Sequence, residues 1–372
     1  MKWVVRRGSV VGGRQSQNRE LQRADVPEAD RGFSRREFLG AAVAPLVLPV
    51  VPIIGCRPSA GRAGTRDEER TKEDPPDGGS AVVAGAVVGL AADAGVGASR
   101  NRAAGVRTLM QKALGAAGGG EAGDLLSHLF GENDRIGIKV NTLAGPGMST
   151  SVDVVEALVA ELRAAGRGRH GIIVFDRLKE ELTDVGYPAD AQDKGYRVQG
   201  TDEAGYSRDL HVSGRVGSLI SEVLLGVDAL ISVGVVKDHD LAGIGGCTKN
   251  LFGVIHNPNR YHDHNCDPYL ADVLALDVVR GRLKLAVADG LTAEWHGGPA
   301  LVRANTWPLG TILVSTDTIA LDAVMADVIE AKRKEQGLPT LAEADRPPRW
   351  LETAASRSLG VADLAAIRRV EG

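Results

Sequence analysis

Between Lys237 and Cys266 the chain gathers Lys237-Asp238-His239, the glycine-rich run Gly243-Ile-Gly245-Gly246-Cys247-Thr248-Lys249-Asn250, and then His256, Arg260, His262, His264 and Cys266. Four of the eight histidines and two of the three cysteines fall in that stretch, so it reads as a site and not as a packing element. An imidazole ordinarily titrates near ~6.5 and suits proton transfer at neutral pH, while lysines supply fixed positive charge. The glycines let backbone N–H groups turn toward one anion, with Lys249 as counter-charge. The order Thr248-Lys249-Asn250 is not the Gly-Lys-Ser/Thr of a Walker loop, which excludes a nucleoside triphosphatase. His262-x-His264-x-Cys266 carries the donor atoms of a transition-metal site, although Pro258 and Pro268 bracket the segment as irregular.

The elements that must position these groups alternate between strand and helix. Strands are expected at Arg135–Val140, Gly171–Phe175, Ala229–Val236, Arg282–Ala288 and Gly310–Ser315. Helices are expected at Val152–Ala165, Val216–Leu225, Asp267–Val279 and Thr318–Gln336. That alternation predicts an α/β fold, a mainly parallel sheet flanked by helices in a single large domain. Five strands end in polar residues: Lys139 with Asn141, Asp176, Lys237 with His239, Asp289, and Asp317. Ligands of open α/β sheets bind beyond the carboxyl ends of the strands. Residues two apart share a face, so Lys139 and Asn141 should point one way, and Lys237 and His239 likewise. Asp317 and Asp176 also have a plainer use as helix N-caps.

Composition narrows the partners. Of the 372 residues 43% are hydrophobic and 25% charged, with a formal net charge of -4. The first 55 residues carry nine Lys or Arg and five Asp or Glu, which leaves the remainder near -8. An acidic domain with only 4% aromatic residues does not fit a nucleic-acid partner. No C-x-x-C spacing is present, so no iron–sulfur cluster is expected, and three cysteines make no disulfide scaffold. Whether Cys247 and Cys266 pair is open from sequence.

The N-terminus reads as an address. Arg35-Arg36 is followed by Phe38-Leu39 and an uncharged run to Gly55, which resembles a twin-arginine (Tat) export signal. The uncharged stretch from Phe38 spans 18 residues but contains Pro45, Pro49 and Pro52, which argue against a regular membrane helix. Ile53-Ile54-Gly55-Cys56 is similar to a lipobox, with Cys56 as the lipidated residue and simple cleavage as the alternative. Residues 1–55 are then signal peptide, 56–80 a charged Pro/Gly-rich linker, and 81–372 the folded domain. The expected partners are the Tat translocase during export and the membrane through the lipid anchor. The expected location is the outer face of the cytoplasmic membrane or the periplasm.

Several ordered motifs carry a family resemblance: Lys139-Val-Asn141, Asp176-Arg177, Val-Lys237-Asp-His239, Thr248-Lys249-Asn250-Leu-Phe-Gly253, His256-x-Pro258-Asn-Arg260-Tyr-His262 with Cys266-Asp267-Pro268, Asp289-Gly290, His296-Gly-Gly298-Pro299 and Ser315-Thr-Asp317 with Asp322. Together they resemble the domain-of-unknown-function family DUF362, in the branch that bears Tat signals, over about residues 82–335. Leu251-Phe252 stands where many members of that branch have a His-Tyr-like pair, and His264 is outside the pattern. The resemblance implies a fold and a site, not a reaction. It shifts the candidate metal set to His239, His256, His262 and Cys266, completed by Asp289 or Asp176. Such donors suit zinc or ferrous iron, since magnesium and calcium prefer oxygen shells.

The expected function is an enzyme acting on a small anionic substrate. Lys139, Lys237 and Lys249 would hold the charge, and His239 or His256 would act as general acid/base. Lys249 also counts among the catalytic candidates, and Asn141, Asp176, Asn250, Arg260 and Asp289 are candidate substrate contacts. The alternative is a non-catalytic ligand- or metal-binding lipoprotein, or an assembly factor for another exported protein. A small anionic ligand is common to both.

Overall fold

The computed structural model describes residues 86–372, so the expected export signal, Cys56 and the expected linker lie outside the described residues. In chain order, β1 (Val87–Ala92), α1 (Arg102–Gly118) and α2 (Ala122–Leu129) lead into β2 (Ile136–Lys139), α3 (Val152–Ala164) and β3 (Ile172–Asp176). Next come α4 (Lys179–Asp184), β4 (Arg197–Gly200), α5 (Thr201–Ala204), the hairpin β5 (His211–Ser213) and β6 (Val216–Ser218), and α6 (Glu222–Leu225). The long strand β7 (Ala229–His239) is followed by β8 (Gly243–Ile244), α7 (Cys247–Asn250), α8 (Tyr269–Leu274), α9 (Asp277–Arg280) and β9 (Leu283–Glu294). The chain closes with β10 (Thr306–Trp307), β11 (Thr311–Ser315), α10 (Thr318–Glu335), α11 (Trp350–Ser356) and β12 (Arg368–Glu371). No helix among the described residues is long and apolar enough to cross a membrane.

The main sheet runs β12-β1-β11-β9-β7-β2-β3-β4. Pairings from β9 through β4 are parallel, and β11 runs against both its neighbours. β7 is buried at every position, as a central parallel strand covered on both faces must be. Alternation along β9 sorts its side chains into two cores: Leu285 and Val287 join α1 and α3 residues, while Ala286 and Ala288 join α10 residues. The result is a sheet between two helical layers, as the α/β expectation has it.

Two expected helices are different. Val216–Leu225 divides into strand β6 and the short α6, because Tyr261 clamps Gly217: its hydroxyl accepts from Gly217 N at 3.1 Å and donates to Gly217 O at 2.8 Å. Asp267–Val279 breaks into α8 and α9 at Leu276, whose backbone is extended (ψ 128). Asp317 caps α10, accepting from Ala320 N at 2.9 Å.

Candidate functional site

After β2 the chain builds outward through β3 to β4, then crosses back and builds β7 and β9 on the other side of β2. The boundary between β2 and β7 is therefore a topological switch point, where strand ends diverge and leave a crevice. A cleft of about 410 Å³ opens there, and Lys139, Asn141, Asp176, Lys237, His239 and Lys249 all line it. The strand-end pairs Lys139/Asn141 and Lys237/His239 thus share one cleft. Asp238, between the latter two, points the other way into an ion pair with Arg346 at 2.8 Å. β7 extends three residues beyond the expected Val236, so Lys237 and His239 belong to the rigid sheet and not to a loop.

Lys139 differs from its expected role. Its ammonium has three N–H donors and three partners: Asp176 Oδ1 at 2.6 Å, Val140 O at 2.6 Å and Asn250 Oδ1 at 2.9 Å. It is 1% exposed, and burial lowers its pKa against the pull of Asp176. Asn250 in turn donates to Lys139 O at 2.9 Å and to Ser232 Oγ at 3.1 Å, bracing β2 against β7. Lys139, Asp176 and Asn250 therefore form a satisfied, neutralised brace beneath the cleft, with their charge spent internally. A Cβ on Gly253 would overlap Lys139 Cε and sit 2.6 Å from its Nζ, so the glycine is what admits the lysine.

Lys237 and Lys249 are different. Among the described residues neither has a carboxylate within ion-pair distance. Lys237 Nζ donates to Asn141 Oδ1 at 2.8 Å and Met148 O at 3.1 Å, which leaves one N–H uncommitted. Lys249 Nζ meets His262 Nε2 at 3.1 Å and lies over the Phe252 ring at 4.5 Å. Burial pushes both lysines down to about 8, so at neutral pH both are largely charged. Gly245 leaves the room that Lys237 Cγ occupies: a Cβ there would approach it to 2.8 Å.

Neighbouring groups fix the proton positions of the two cleft imidazoles. His262 Nδ1 lies 3.0 Å from Pro258 O, an acceptor only, so Nδ1 carries the hydrogen and Nε2 offers its lone pair to Lys249. His239 Nδ1 accepts from Leu241 N at 3.1 Å and Ala242 N at 3.3 Å, which puts its hydrogen on Nε2. Asp240 Oδ1, 3.3 Å from that Nδ1, faces a lone pair already taken and forms no ion pair with a neutral ring. Burial, then Lys249, His262 and Lys237, pushes His239 down to about 2. The rings stack with centroids 6.1 Å apart, one with a donor Nε2 and the other with an acceptor Nε2.

The remaining candidates fall elsewhere. The glycine-rich loop does turn N–H groups toward an anion, but the anion is Asp322, which accepts from Cys247 N at 2.6 Å and Thr248 N at 2.7 Å. Burial pushes that carboxyl up to about 6. His256 is exposed against Tyr206, outside the cleft, and Arg260 is exposed as well. Asp289 is buried, accepts from Ser151 N at 2.7 Å and Leu291 N at 3.0 Å, and lines a different pocket. Cys247 and Cys266 are both free and buried, so they do not pair. The expected metal set does not assemble: no group of three or more His, Cys, Asp or Glu among the described residues is arranged to hold an ion. His262 Nε2 is taken by Lys249, and none of His256, Cys266 or Asp289 lines the cleft that holds His239 and His262. His296 is exposed and receives Arg346 on Nδ1 at 3.2 Å. Sequence reasoning missed Glu181 and Phe252 as lining residues, and no spacing rule marks either.

No curated protein matches the chain. The solved structure of the lactate racemase apoprotein from Thermoanaerobacterium thermosaccharolyticum is similar at 12% identity and a TM-score of 0.38, over 63% of this chain. The chain spans 55% of the length of that protein. The family described as Domain of unknown function (DUF362) matches residues 136–327, more than half of the chain and every strand that forms the cleft, and the chain belongs to that family.

Proposed function

We propose that the cleft binds a small anionic substrate and moves a proton on it. The observation that carries this reading is the pair Lys237 and Lys249, two ammonium groups in one cleft with uncommitted N–H donors and, among the described residues, no carboxylate within ion-pair distance. Removing such charges from water costs several kcal/mol unless something neutralises them, and a bound anion is that partner. Lys237 holds the anion. Lys249, near 8 and hydrogen-bonded to the His262 lone pair, is the group poised to gain or lose a proton at working pH. His239 stays neutral and donates from Nε2 to charge developing on the substrate. This revises the expected acid/base role of His239 and drops His256.

A thermal-shift screen of carboxylated and phosphorylated metabolites, followed by turnover assays on the hits, tests the reading. Stabilisation with turnover, lost in Lys237→Met and Lys249→Met, supports it. Stabilisation without turnover makes the domain a binding protein, and no stabilisation by any anion refutes the proposal.

We also propose that the chain is exported folded by the Tat translocase and held by lipid at Cys56 on the outer face of the cytoplasmic membrane. Arg35-Arg36, the uncharged run to Gly55 and the linker support this. Changing both arginines to lysine should trap precursor in the cytoplasm, and unaffected export would contradict it.

A further inference from the structure

Three of the parallel strands deliver a polar residue to the cleft, and in each case a leucine follows at the second position. The pairs are Asn141 and Leu143 after β2, Asp176 and Leu178 at the end of β3, and His239 and Leu241 at the end of β7. All six side chains line the cleft. The polar members Asp176 and His239 are 5% and 6% exposed, whereas Leu143, Leu178 and Leu241 are 66%, 42% and 44% exposed. Single exposed leucines are ordinary on a protein surface. Three of them, brought from three separate strand ends to one opening, are a feature of the site. Phe252 continues the apolar lining inward, with the Lys249 ammonium over its ring at 4.5 Å. The cleft therefore has two zones: a cationic floor at Lys237 and Lys249, and a mouth where the three leucines stand beside Arg177, Glu181 and Asp240.

From the repeated polar-then-leucine spacing at these strand ends, we infer that the substrate is an amphiphilic anion, a charged head attached to an apolar body. The head sits against the two lysines. The body is covered by Leu143, Leu178 and Leu241, whose apolar surface is then removed from water. Pockets of about 300–1,000 Å³ typically enclose most of a small ligand, and the volume of about 410 Å³ falls in that range. Lys237 stands on strand β7 and Lys249 on helix α7, whereas Leu143, Leu178 and Leu241 follow their strands in loops. The head must be oriented, and the body need only be covered. This inference rests on the anion reading of the floor.

Calorimetric titration of the protein with straight-chain alkanoates of four, six, eight and ten carbons, beside the matching alkanols, tests it. Each buried methylene should tighten alkanoate binding by up to about fourfold until the mouth is filled. Alkanols of equal length should bind more weakly. Replacing the leucines together (Leu143→Ser, Leu178→Ser, Leu241→Ser) should flatten the dependence on chain length, and their exposure makes that variant compatible with folding. Butanoate binding as tightly as decanoate would overturn the amphiphile while leaving the anion site standing. Alkanols binding as tightly as alkanoates would overturn the anion reading itself.

Discussion

Replacing Asp176 with Asn isolates the ion pair under the cleft. In the native protein both carboxylate oxygens are occupied: Oδ1 faces Lys139 Nζ at 2.6 Å and accepts from Arg177 N at 2.7 Å, while Oδ2 accepts from Thr142 N and Thr142 Oγ1, each at 2.8 Å. An asparagine has one acceptor oxygen. Turned toward Lys139, it points its NH₂ at the Thr142 N–H; turned the other way, it points its NH₂ at an ammonium. Either orientation sets donor against donor, with Lys139 1% exposed and unable to reach water. Breaking a buried pair in this way costs about 3–5 kcal/mol. For a domain this large each kcal/mol moves the melting temperature by roughly 2–4 °C, so Tm should fall by roughly 6–20 °C. Thermal and urea unfolding of Asp176→Asn, Lys139→Met and the double variant measure the coupling. The double variant should be more stable than Asp176→Asn alone, because no unpaired ammonium remains. A loss below about 1 kcal/mol in Asp176→Asn, or no recovery in the double variant, would refute a charged buried pair.

Other outcomes follow from the same geometry. Gly253→Ala drives a Cβ against Lys139, which cannot shift without losing its three partners, so urea unfolding should show a loss of about 1–3 kcal/mol. Asp322→Ala leaves the N–H groups of Cys247 and Thr248 buried without an acceptor; the expected loss is about 1–3 kcal/mol, accompanied by weaker anion binding as Lys249 moves. Lys237 and Lys249 titrate near 8 when folded and near ~10.5 when unfolded. Between those values the unfolded chain holds more protons, so stability should rise from pH 8 to pH 10 while anion affinity falls. Lys249→Met should flatten part of that rise in Tm, and a slope identical to the wild type would rule out Lys249 as a source.

Much of the architecture was legible because central parallel strands are continuous apolar runs and their helices keep a clean 3.6 period. Val216–Leu225 misled for a specific reason. Its apolar residues do recur at helical spacing, but Val216 reaches the core from strand β6, Ile220 from an isolated bridge, and Val223 and Leu224 from a single turn of helix. The placement of Lys237 and His239 was legible from strand-end chemistry. Which charges were free was not, because it depends on partners distant in sequence. Lys139 is silenced by Asp176 and Asn250, and the glycine loop by Asp322. His256 failed for the converse reason. It lies close in sequence to the cleft residues, but its backbone follows the Ile220–Ile255 bridge and carries the ring outward.

The central claim is that Lys237 and Lys249 are charges awaiting an anion, and proton uptake on binding tests it most directly. At pH 8 each lysine is about half protonated, and an anion between them raises both pKa values. Titrating an anion hit in two buffers of different ionisation enthalpy should therefore read an uptake approaching about one proton per site at pH 8. That uptake should be absent in Lys237→Met/Lys249→Met. Binding with no proton uptake, or uptake unchanged in the double variant, would contradict the account.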